Sequence, residues 1–342
     1  NPDLFDVKVI CIRAEGDLAP LFRQRGVPVE LCRMPTRYSP LGLIRLARRL
    51  ARDGADVVHT HMRRANTSGR IAAWLAGVPV IVAHERTMPH EKKWRHFLVD
   101  RLLAKVSARV IAVSPRVAEA EIAGGGPPRE VFEVMPNAVD RTEFAPGSQS
   151  AARQALGLPA DDFVVGFAGR LHPIKRLDVL LRACAQASRE LPELRLLVVG
   201  SGLQQTKLEK LAAELGISDR VRFLGSRSDM AAVYPAMDVL CLVSAVEGCS
   251  RVLLEAMACG LPTIATPVGY ADHLLGGGRA GIIVPLNGPE ATAQAIIGLA
   301  RDPARRARMS AAAREATEPH GTEAYVSRME RLYQDLWSRR QG

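Results

Sequence analysis

Short apolar runs alternate with helix-patterned segments along nearly the whole chain, and this alternation constrains the fold more than any other feature. In the first half, buried strands are predicted at residues 7–12, 57–59, 80–82 and 110–113. In the second half, they are predicted at residues 163–168, 194–199, 221–224, 239–243, 263–266 and 282–284. Strands that alternate with helices are typical of parallel sheets. The sequence therefore predicts two α/β domains with parallel sheets.

The length of 342 residues also suits two domains. We predict an N-terminal domain over residues 1–145 and a second domain over residues 146–321, because Pro146 and Gly147 interrupt the pattern there. The last helical segment follows a completed sheet, so residues 322–342 are expected to cross back to the first domain. The first half shows about four strands against six in the second, which indicates that its first βα unit is missing.

Composition excludes several classes of protein. Apolar residues make up 47% and charged residues 24%, as in ordinary globular domains. No apolar run approaches the roughly 18–20 residues of a membrane-spanning helix. The six cysteines form no C-x-x-C pair, so we expect reduced thiols, a cytoplasmic protein and no metal site.

Positive charge is concentrated in the first half of the chain. Residues 33–109 hold 16 Lys or Arg against 5 Asp or Glu, an excess of 11 positive charges. The net charge of the whole chain is +10, so the rest of the chain is close to neutral. This excess has two interpretations. The first is an ordinary solvated surface. The second is attraction to an anionic partner, which would be either a membrane surface such as the inner face of the cell membrane or a phosphate-bearing acceptor. Nucleic acid is not an expected partner, because aromatic residues make up only 5% and no stacking pattern is present.

A phosphate site is predicted where the strand at 163–168 ends in Gly169. Arg170 and Lys175 follow in the next loop, and a helix begins near Arg176. Parallel sheets bind ligands at the carboxyl ends of their strands, and a helix N-terminus attracts phosphate. Two cations in this loop therefore suit a diphosphate, although both could also be ordinary surface residues.

Two carboxylates are the second candidate feature. Glu247 lies in the loop after the strand at 239–243, Ser250 is predicted to cap the next helix, and Glu255 lies within that helix among apolar residues. Burying a carboxylate without hydrogen-bond partners destabilises a protein by roughly several kcal/mol. If Glu255 is buried, it therefore needs hydrogen-bond donors, and sugar hydroxyls would supply them. The alternative is an exposed glutamate on a half-buried helix.

These motifs together resemble glycosyltransferase family 4, a large retaining family that uses nucleotide sugars. The segment EGCSRVLLEAMACGLP (247–262) is similar to its E-x7-E signature, and GRLHPIK (169–175) to its diphosphate motif. Further similar segments are VMPNAVD (134–140), VRFLG (221–225), VVHTH (57–61) and VAHE (82–85). The resemblance implies a GT-B fold, in which two Rossmann-like, doubly wound parallel-sheet domains face each other across a cleft.

The resemblance also implies roles for individual residues. Glu247 and His84 would be catalytic beside the donor sugar, Arg170 and Lys175 would hold the diphosphate, and Glu255 would hold the ribose. The residues expected to line the nucleotide site or cleft are Gly169, Gly200, Gly225, Gly248, Ser250, Arg251 and Val252. Three further residues expected at the cleft are His61, Ser114 and Asn137. No metal or cofactor is implied beyond the nucleotide sugar, with a UDP-sugar favoured over a GDP-sugar.

The function implied is transfer of a hexose-type sugar, with retention, to a glycan or lipid-linked acceptor in polysaccharide or lipopolysaccharide biosynthesis. Two alternatives are a non-catalytic nucleotide-sugar-binding or assembly subunit and a GT-B epimerase of sugar nucleotides, although the E-x7-E pair opposes the epimerase. The chain departs from the family in three ways. It lacks the opening strand and Gly-Gly loop, and it has Cys249 where an aromatic residue is common. Arg176 stands where glycine is frequent.

Overall fold

The computed structural model describes residues 1–36 and 38–341 and divides into two compact units. The N-terminal unit comprises Asn1–Val113, Val117–Met135 and Glu330–Gly342, and the C-terminal unit comprises Ser114–Arg116 and Pro136–Met329. Arg37, in the basic stretch, and Gly342, the end of the predicted crossing helix, lie outside the described residues. The domain boundaries expected from the sequence stay predictions.

The N-terminal unit contains two parallel sheets. Strands β1 and β2 pair with each other, and the second sheet has the order β3-β4-β5-β6. The bounds of these strands are β1 (Val9–Cys11), β2 (Val29–Leu31), β3 (Val57–His61), β4 (Val80–Glu85), β5 (Arg109–Ala112) and β6 (Phe132–Val134). The expectation of four strands was wrong, because β2 and β6 are three-residue strands with Glu30 or Glu133 in the middle and therefore show no apolar run.

Five α-helices accompany these strands within residues 1–36 and 38–135. Their bounds are α1 (Ala19–Gln24), α2 (Pro40–Arg52), α3 (Met62–Leu75), α4 (Trp94–Ala104) and α5 (Pro115–Ala123). Helix α2 begins where Ser39 accepts a hydrogen bond from the Gly42 N–H, a typical N-cap. Its buried Leu46 and Leu50 belong to an apolar core with Ala72 of α3 and Ile81 of β4. This core joins the two small sheets through α2 and α3.

The C-terminal unit is built on one six-stranded parallel sheet. Its strands are β7 (Phe163–Ala168), β8 (Leu194–Val199), β9 (Val221–Phe223), β10 (Val239–Leu242), β11 (Thr263–Ala265) and β12 (Gly281–Ile283). Their order is β12-β11-β10-β7-β8-β9, so the chain reverses its direction of travel through the sheet between β7 and β10. This is the predicted doubly wound arrangement, and the reversal creates a crevice at the carboxyl ends of β7 and β10.

Nine α-helices lie among residues 136–341, the part of this half that the structure describes. Their bounds are α6 (Gln149–Leu156), α7 (Leu177–Ala187), α8 (Gln205–Glu214), α9 (Met230–Val233), α10 (Arg251–Ala258), α11 (Ala271–Leu274), α12 (Pro289–Arg301), α13 (Pro303–Ala316) and α14 (Thr322–Gln341). The core of the unit includes Phe167 of β7, Leu180 of α7, Leu196 of β8 and Ile296 of α12. Within the described residues, no helix combines the length and apolar character that crossing a membrane requires.

A buried cluster of charged side chains lies in the N-terminal unit, and we call it the Lys92 cluster. The Lys92 Nζ lies 2.6 Å from Glu121 Oε1, 3.0 Å from Asp100 and 3.5 Å from Glu85, and Arg70 pairs with Asp100. Three carboxylates therefore face two cations away from water. Burial, followed by the nearby Glu85 carboxylate, raises the pKa of Glu121 to about 7.

Candidate active site

The crevice of the C-terminal unit brings together the loops that follow β7 and β10. The Ala245 N–H donates to the Ile174 carbonyl oxygen at 2.8 Å, which joins the two loops through their backbones. Beside this link, Lys175 Nζ lies 2.5 Å from Glu247 Oε1, and the Ser244 hydroxyl donates to the same oxygen at 2.8 Å. The structure thus places a cation and a carboxylate, both predicted as site residues, side by side at the crevice.

Three predicted glycines lie at neighbouring strand ends of the same sheet. The Gly169 N–H donates to Val199 at 2.9 Å, and the Gly200 N–H donates to Gly225 at 2.7 Å. Gly200 has a φ of +132°, and a Cβ atom there would lie 1.9 Å from the carbonyl oxygen of Gly169. Only glycine fits this close approach. The carboxyl ends of β7, β8 and β9 are therefore lined by closely packed glycine backbone that carries no side chains.

The loop that carries Glu247 is held on both sides. The buried Asn137 side chain donates from Nδ2 to the Cys249 carbonyl oxygen at 2.7 Å. On the other side, a Cβ at Gly269 would lie 2.3 Å from the carbonyl oxygen of Gly248, so the two backbones pack directly together. Asn137, expected from the resemblance at the cleft, thus positions the loop from within the C-terminal unit.

The helix after this loop begins and is capped as predicted. Ser250 is buried, and its hydroxyl accepts a hydrogen bond from the Leu253 N–H at 3.4 Å. Arg251 is exposed and Val252 is half-buried at the first turn of α10. The cap places the free N–H groups of α10 next to the loop that bears Glu247.

Glu255 has a protein partner that the sequence did not reveal. The Tyr234 hydroxyl donates to Glu255 Oε2 at 2.8 Å, and the Tyr234 side chain is fully buried. Burial raises the pKa of Glu255, while the hydrogen bond from Tyr234 opposes this shift. The partner lies 21 residues away in sequence, and no local pattern marks it. The expected alternative, an exposed glutamate, is wrong because Glu255 is half-buried.

The two predicted diphosphate cations differ in their surroundings. The Lys175 side chain is 19% exposed and paired, whereas Arg170 is exposed, and its guanidinium pairs with no carboxylate among residues 1–36 and 38–341. Arg176 next to them has a φ of +52°, a left-handed conformation that suits glycine. This backbone explains why glycine is frequent there in the family. The Arg176 side chain instead pairs with Asp178.

Three histidines of the N-terminal unit come together on one face of its sheet. His61 lies directly opposite His84 in the parallel pairing of β3 with β4, and His59 lies two residues earlier on the same face. Ring centroids are 4.2 Å apart for His59 and His61 and 5.2 Å apart for His61 and His84. Burial, with a contribution from the Arg86 cation, lowers the pKa of His84 to about 3. This histidine is therefore neutral near neutral pH.

The cysteine pattern predicts no metal site, but it does not reveal that three histidines form a group with metal-ligand spacing. Ligating atoms of His59, His61 and His84 all lie within 4.8 Å of one another. The signal was present in the sequence, because residues two apart on a strand share a face and parallel neighbours align their ends. Ser114, the last predicted cleft residue, is fully buried just after β5.

Sequence comparison places both halves of the chain among glycosyltransferases. Residues 148–316 match the model described as glycosyl transferases group 1, and residues 3–138 match a glycosyl transferase 4-like domain. The D-inositol 3-phosphate glycosyltransferase of Saccharomonospora viridis is 34% identical over 323 residues, which are 88% of this chain and 73% of that protein. The protein of the same name from Stackebrandtia nassauensis is 36% identical over 282 residues, 75% of this chain and 63% of that protein.

Solved structures show the same fold. HepE from Anabaena in complex with UDP is 27% identical, with a TM-score of 0.88 over 96% of this chain and 92% of that one. HepE in complex with UDP-glucose gives 26% identity and a TM-score of 0.87 over 98% and 93% of the chains. The sucrose-phosphate synthase of Thermosynechococcus elongatus, at 22% identity and a TM-score of 0.79 over 97% and 99% of the chains, shares the fold. The chain is a glycosyltransferase of family 4 with the GT-B fold.

Proposed function

We propose that this glycosyltransferase transfers a hexose-type sugar from a UDP-sugar with retention of the anomeric configuration. The observation that carries the proposal is the Lys175–Glu247 pair at the crevice, at the carboxyl ends of the neighbouring strands β7 and β10, where the chain reverses its direction of travel through the sheet. Crevices of this kind are where doubly wound sheets bind nucleotides. HepE, whose structures contain UDP, UDP with glucose, and UDP-glucose, supports UDP as the nucleotide.

The diphosphate is proposed to bind between Arg170 and Lys175. Negative charge develops on the leaving UDP as the bond to the sugar breaks, and fixed cations stabilise that charge. In the free protein, Glu247 neutralises Lys175, so the lysine is already positioned before the donor arrives. We propose that these cations replace a divalent metal ion in the transfer step, and turnover should therefore persist in excess chelator.

The ribose is proposed to bind Glu255. Tyr234 occupies Oε2 of this carboxylate, and no other side chain within the described ranges donates to Oε1. One oxygen is thus held by the protein while the second remains for a ribose hydroxyl. Hydrogen bonds to a charged acceptor contribute about 1.5–3 kcal/mol each. The catalytic role that the resemblance implies for His84 stays a prediction, as do the cleft positions of His61 and Ser114.

The acceptor is proposed to be a glycan or a lipid-linked acceptor. Anionic acceptors suit the basic N-terminal half, with its excess of 11 positive charges over residues 33–109. The names of the bacterial relatives favour a second candidate, inositol phosphate, which is also anionic. The binding-only and epimerase alternatives have no support from these relatives, which are named as glycosyltransferases.

Peripheral contact with an anionic membrane is proposed for helices α2 and α4. Leu41 on α2 is 73% exposed and Trp94 on α4 is 75% exposed, and each helix also carries arginines. Exposed apolar side chains next to cations suit the boundary of an anionic bilayer. We expect sedimentation with anionic liposomes to exceed that with neutral ones and to decrease with salt. Equal sedimentation with both would leave the solvated-surface interpretation.

The function is tested by titrating the full chain with UDP and with GDP, and then by supplying UDP-hexoses with each acceptor class. We expect tighter binding of UDP and a product that keeps the donor's anomeric configuration, as read by nuclear magnetic resonance. Stronger binding of GDP would overturn the nucleotide assignment, and an inverted anomeric centre would overturn retention. A changed sugar nucleotide formed without an acceptor would instead support the epimerase alternative.

A further inference from the structure

Three imidazole rings converge in the N-terminal unit, on the neighbouring strands β3 and β4. His59 and His61 share one face of β3, and His84 lies opposite His61 on β4. Their ligating atoms fall within 4.8 Å of one another. This grouping is set by strand register, so it is a property of the backbone rather than of a flexible surface.

Ring nitrogens in this group lack the hydrogen bonds that buried polar atoms normally make. His84 is 0% exposed, and neither Nδ1 nor Nε2 has a partner within the described part of the chain. The buried Nε2 of His59 likewise has none. Nearly all buried polar atoms in proteins are satisfied. A neutral imidazole has one nitrogen with a lone pair, and an unpartnered lone pair within this group is what a cation would use.

The other ring nitrogen of His59 has a hydrogen-bond partner. This nitrogen, Nδ1, lies 2.5 Å from the hydroxyl of Tyr333 on α14. Metal-bound histidines typically use one ring nitrogen for the metal and hydrogen-bond the other, which fixes the orientation of the ring. The Tyr333 contact uses Nδ1 and leaves Nε2 of His59 without a partner within the described residues. His61 is exposed, which gives an ion access from solvent.

We propose that His59, His61 and His84 form a binding site for a divalent transition-metal ion, with zinc as the best match. Neutral imidazole is a preferred ligand of zinc, and three protein ligands with an open fourth position are a common zinc arrangement. Zinc–nitrogen bonds of about 2.0–2.1 Å require nitrogens about 3.3 Å apart in a tetrahedron. The present spacing of up to 4.8 Å must therefore contract when an ion binds.

The site has a consequence for His84. A metal ion bound by this histidine occupies the electron pair that the ring would otherwise offer to a sugar hydroxyl. The ion is therefore expected to compete with any use of His84 in transfer, rather than to assist it. This proposal concerns a separate binding event, so its failure would leave the proposed UDP-sugar transfer intact.

The test measures zinc binding to the chelator-treated full chain in the absence of nucleotide and sugar. Zinc is titrated against a chromophoric chelator, and cobalt is used in parallel because its visible absorption reports tetrahedral nitrogen ligation. We expect one tight equivalent of zinc, weakened at least tenfold in H59A and in H61A. Because His61 is exposed, H61A should remain folded, which circular dichroism checks.

The matched control is H90A, which removes an exposed histidine of the same unit. Its zinc affinity should equal that of the unchanged chain. Three results would overturn the site: no equivalent of zinc held against the competing chelator, unchanged affinity in folded H61A, or an equal loss in H90A. A cobalt spectrum without tetrahedral character would overturn the geometry in the same way.

Discussion

Glu247→Gln and Glu255→Gln are expected to have different effects on UDP affinity and on the transfer rate. In the free protein, Glu247 is bound to Lys175 at 2.5 Å, so it competes with a diphosphate for that cation. Glu247→Gln removes the competing charge, and UDP affinity should stay the same or rise. The transfer rate should fall by roughly 10²–10³, equivalent to about 3–4 kcal/mol, because a contact beside the transferred sugar is lost.

Glu255→Gln should have the opposite profile. Glutamine can keep its single carbonyl oxygen for the hydrogen bond from Tyr234, but it then presents an amide NH2, which cannot accept a hydrogen bond from a ribose hydroxyl, in place of the second carboxylate oxygen. The loss of about 1.5–3 kcal/mol corresponds to an affinity for UDP that is about 10–150-fold weaker. Free UDP and the UDP-sugar should lose affinity alike, since both contain the ribose.

Isothermal titration with UDP and initial rates at saturating donor separate the two variants. Glu214→Gln, an exposed glutamate at the end of α8, is the control and should change neither quantity. Circular dichroism establishes that each variant is folded. Full turnover in folded Glu247→Gln would show that the active centre lies elsewhere, and unchanged UDP affinity in Glu255→Gln would remove the ribose assignment.

Three further substitutions test the cations, the backbone and the buried charges. Arg170→Ala and Lys175→Ala should each weaken the binding of UDP by about 1.5–3 kcal/mol in isothermal titration. Unchanged affinity for UDP in both variants would contradict the diphosphate site. Arg176→Gly should be about 1 kcal/mol more stable to urea than Arg176→Ala, because only glycine relieves the left-handed backbone; equal stability would contradict this. The pKa of Glu121 is about 7 in the folded protein, against an ordinary value of 4.5. The free energy of unfolding of the N-terminal unit should therefore decrease by up to about 3 kcal/mol as the pH rises from 4.5 to 7. Urea unfolding should show this slope vanish in Glu121→Gln but persist in the exposed control Glu119→Gln.

Sequence patterns predicted most of the C-terminal sheet because its strands are buried on both faces. Strands β7 and β8 begin and end at the predicted residues, since every position is apolar or small except one arginine in β8. Helix α13 does not follow from the sequence pattern, because it carries no apolar stripe and only Met309 and Ala313 among its residues are buried. Periodicity detects an element only when one of its faces is consistently buried.

The candidate site was predicted in part for a related reason. Lys175 and Glu247 could be identified because each follows a strand, and the carboxyl ends of neighbouring parallel strands meet at one edge. Tyr234 could not, because its contact with Glu255 depends on how two helical segments pack rather than on any local spacing. The convergence of the three histidines was within reach, but it required the pairing of β3 with β4 to be considered explicitly.

The backbone link between Ala245 and Ile174 makes the crevice tolerant of sequence change. Side-chain substitution leaves a peptide N–H and carbonyl in place, so almost any residue at these two positions preserves the link between the loops. Proline at position 245 is the exception, because it has no N–H to donate. Side chains at positions 174 and 245 can therefore change while this backbone hydrogen bond still joins the loops that carry Lys175 and Glu247.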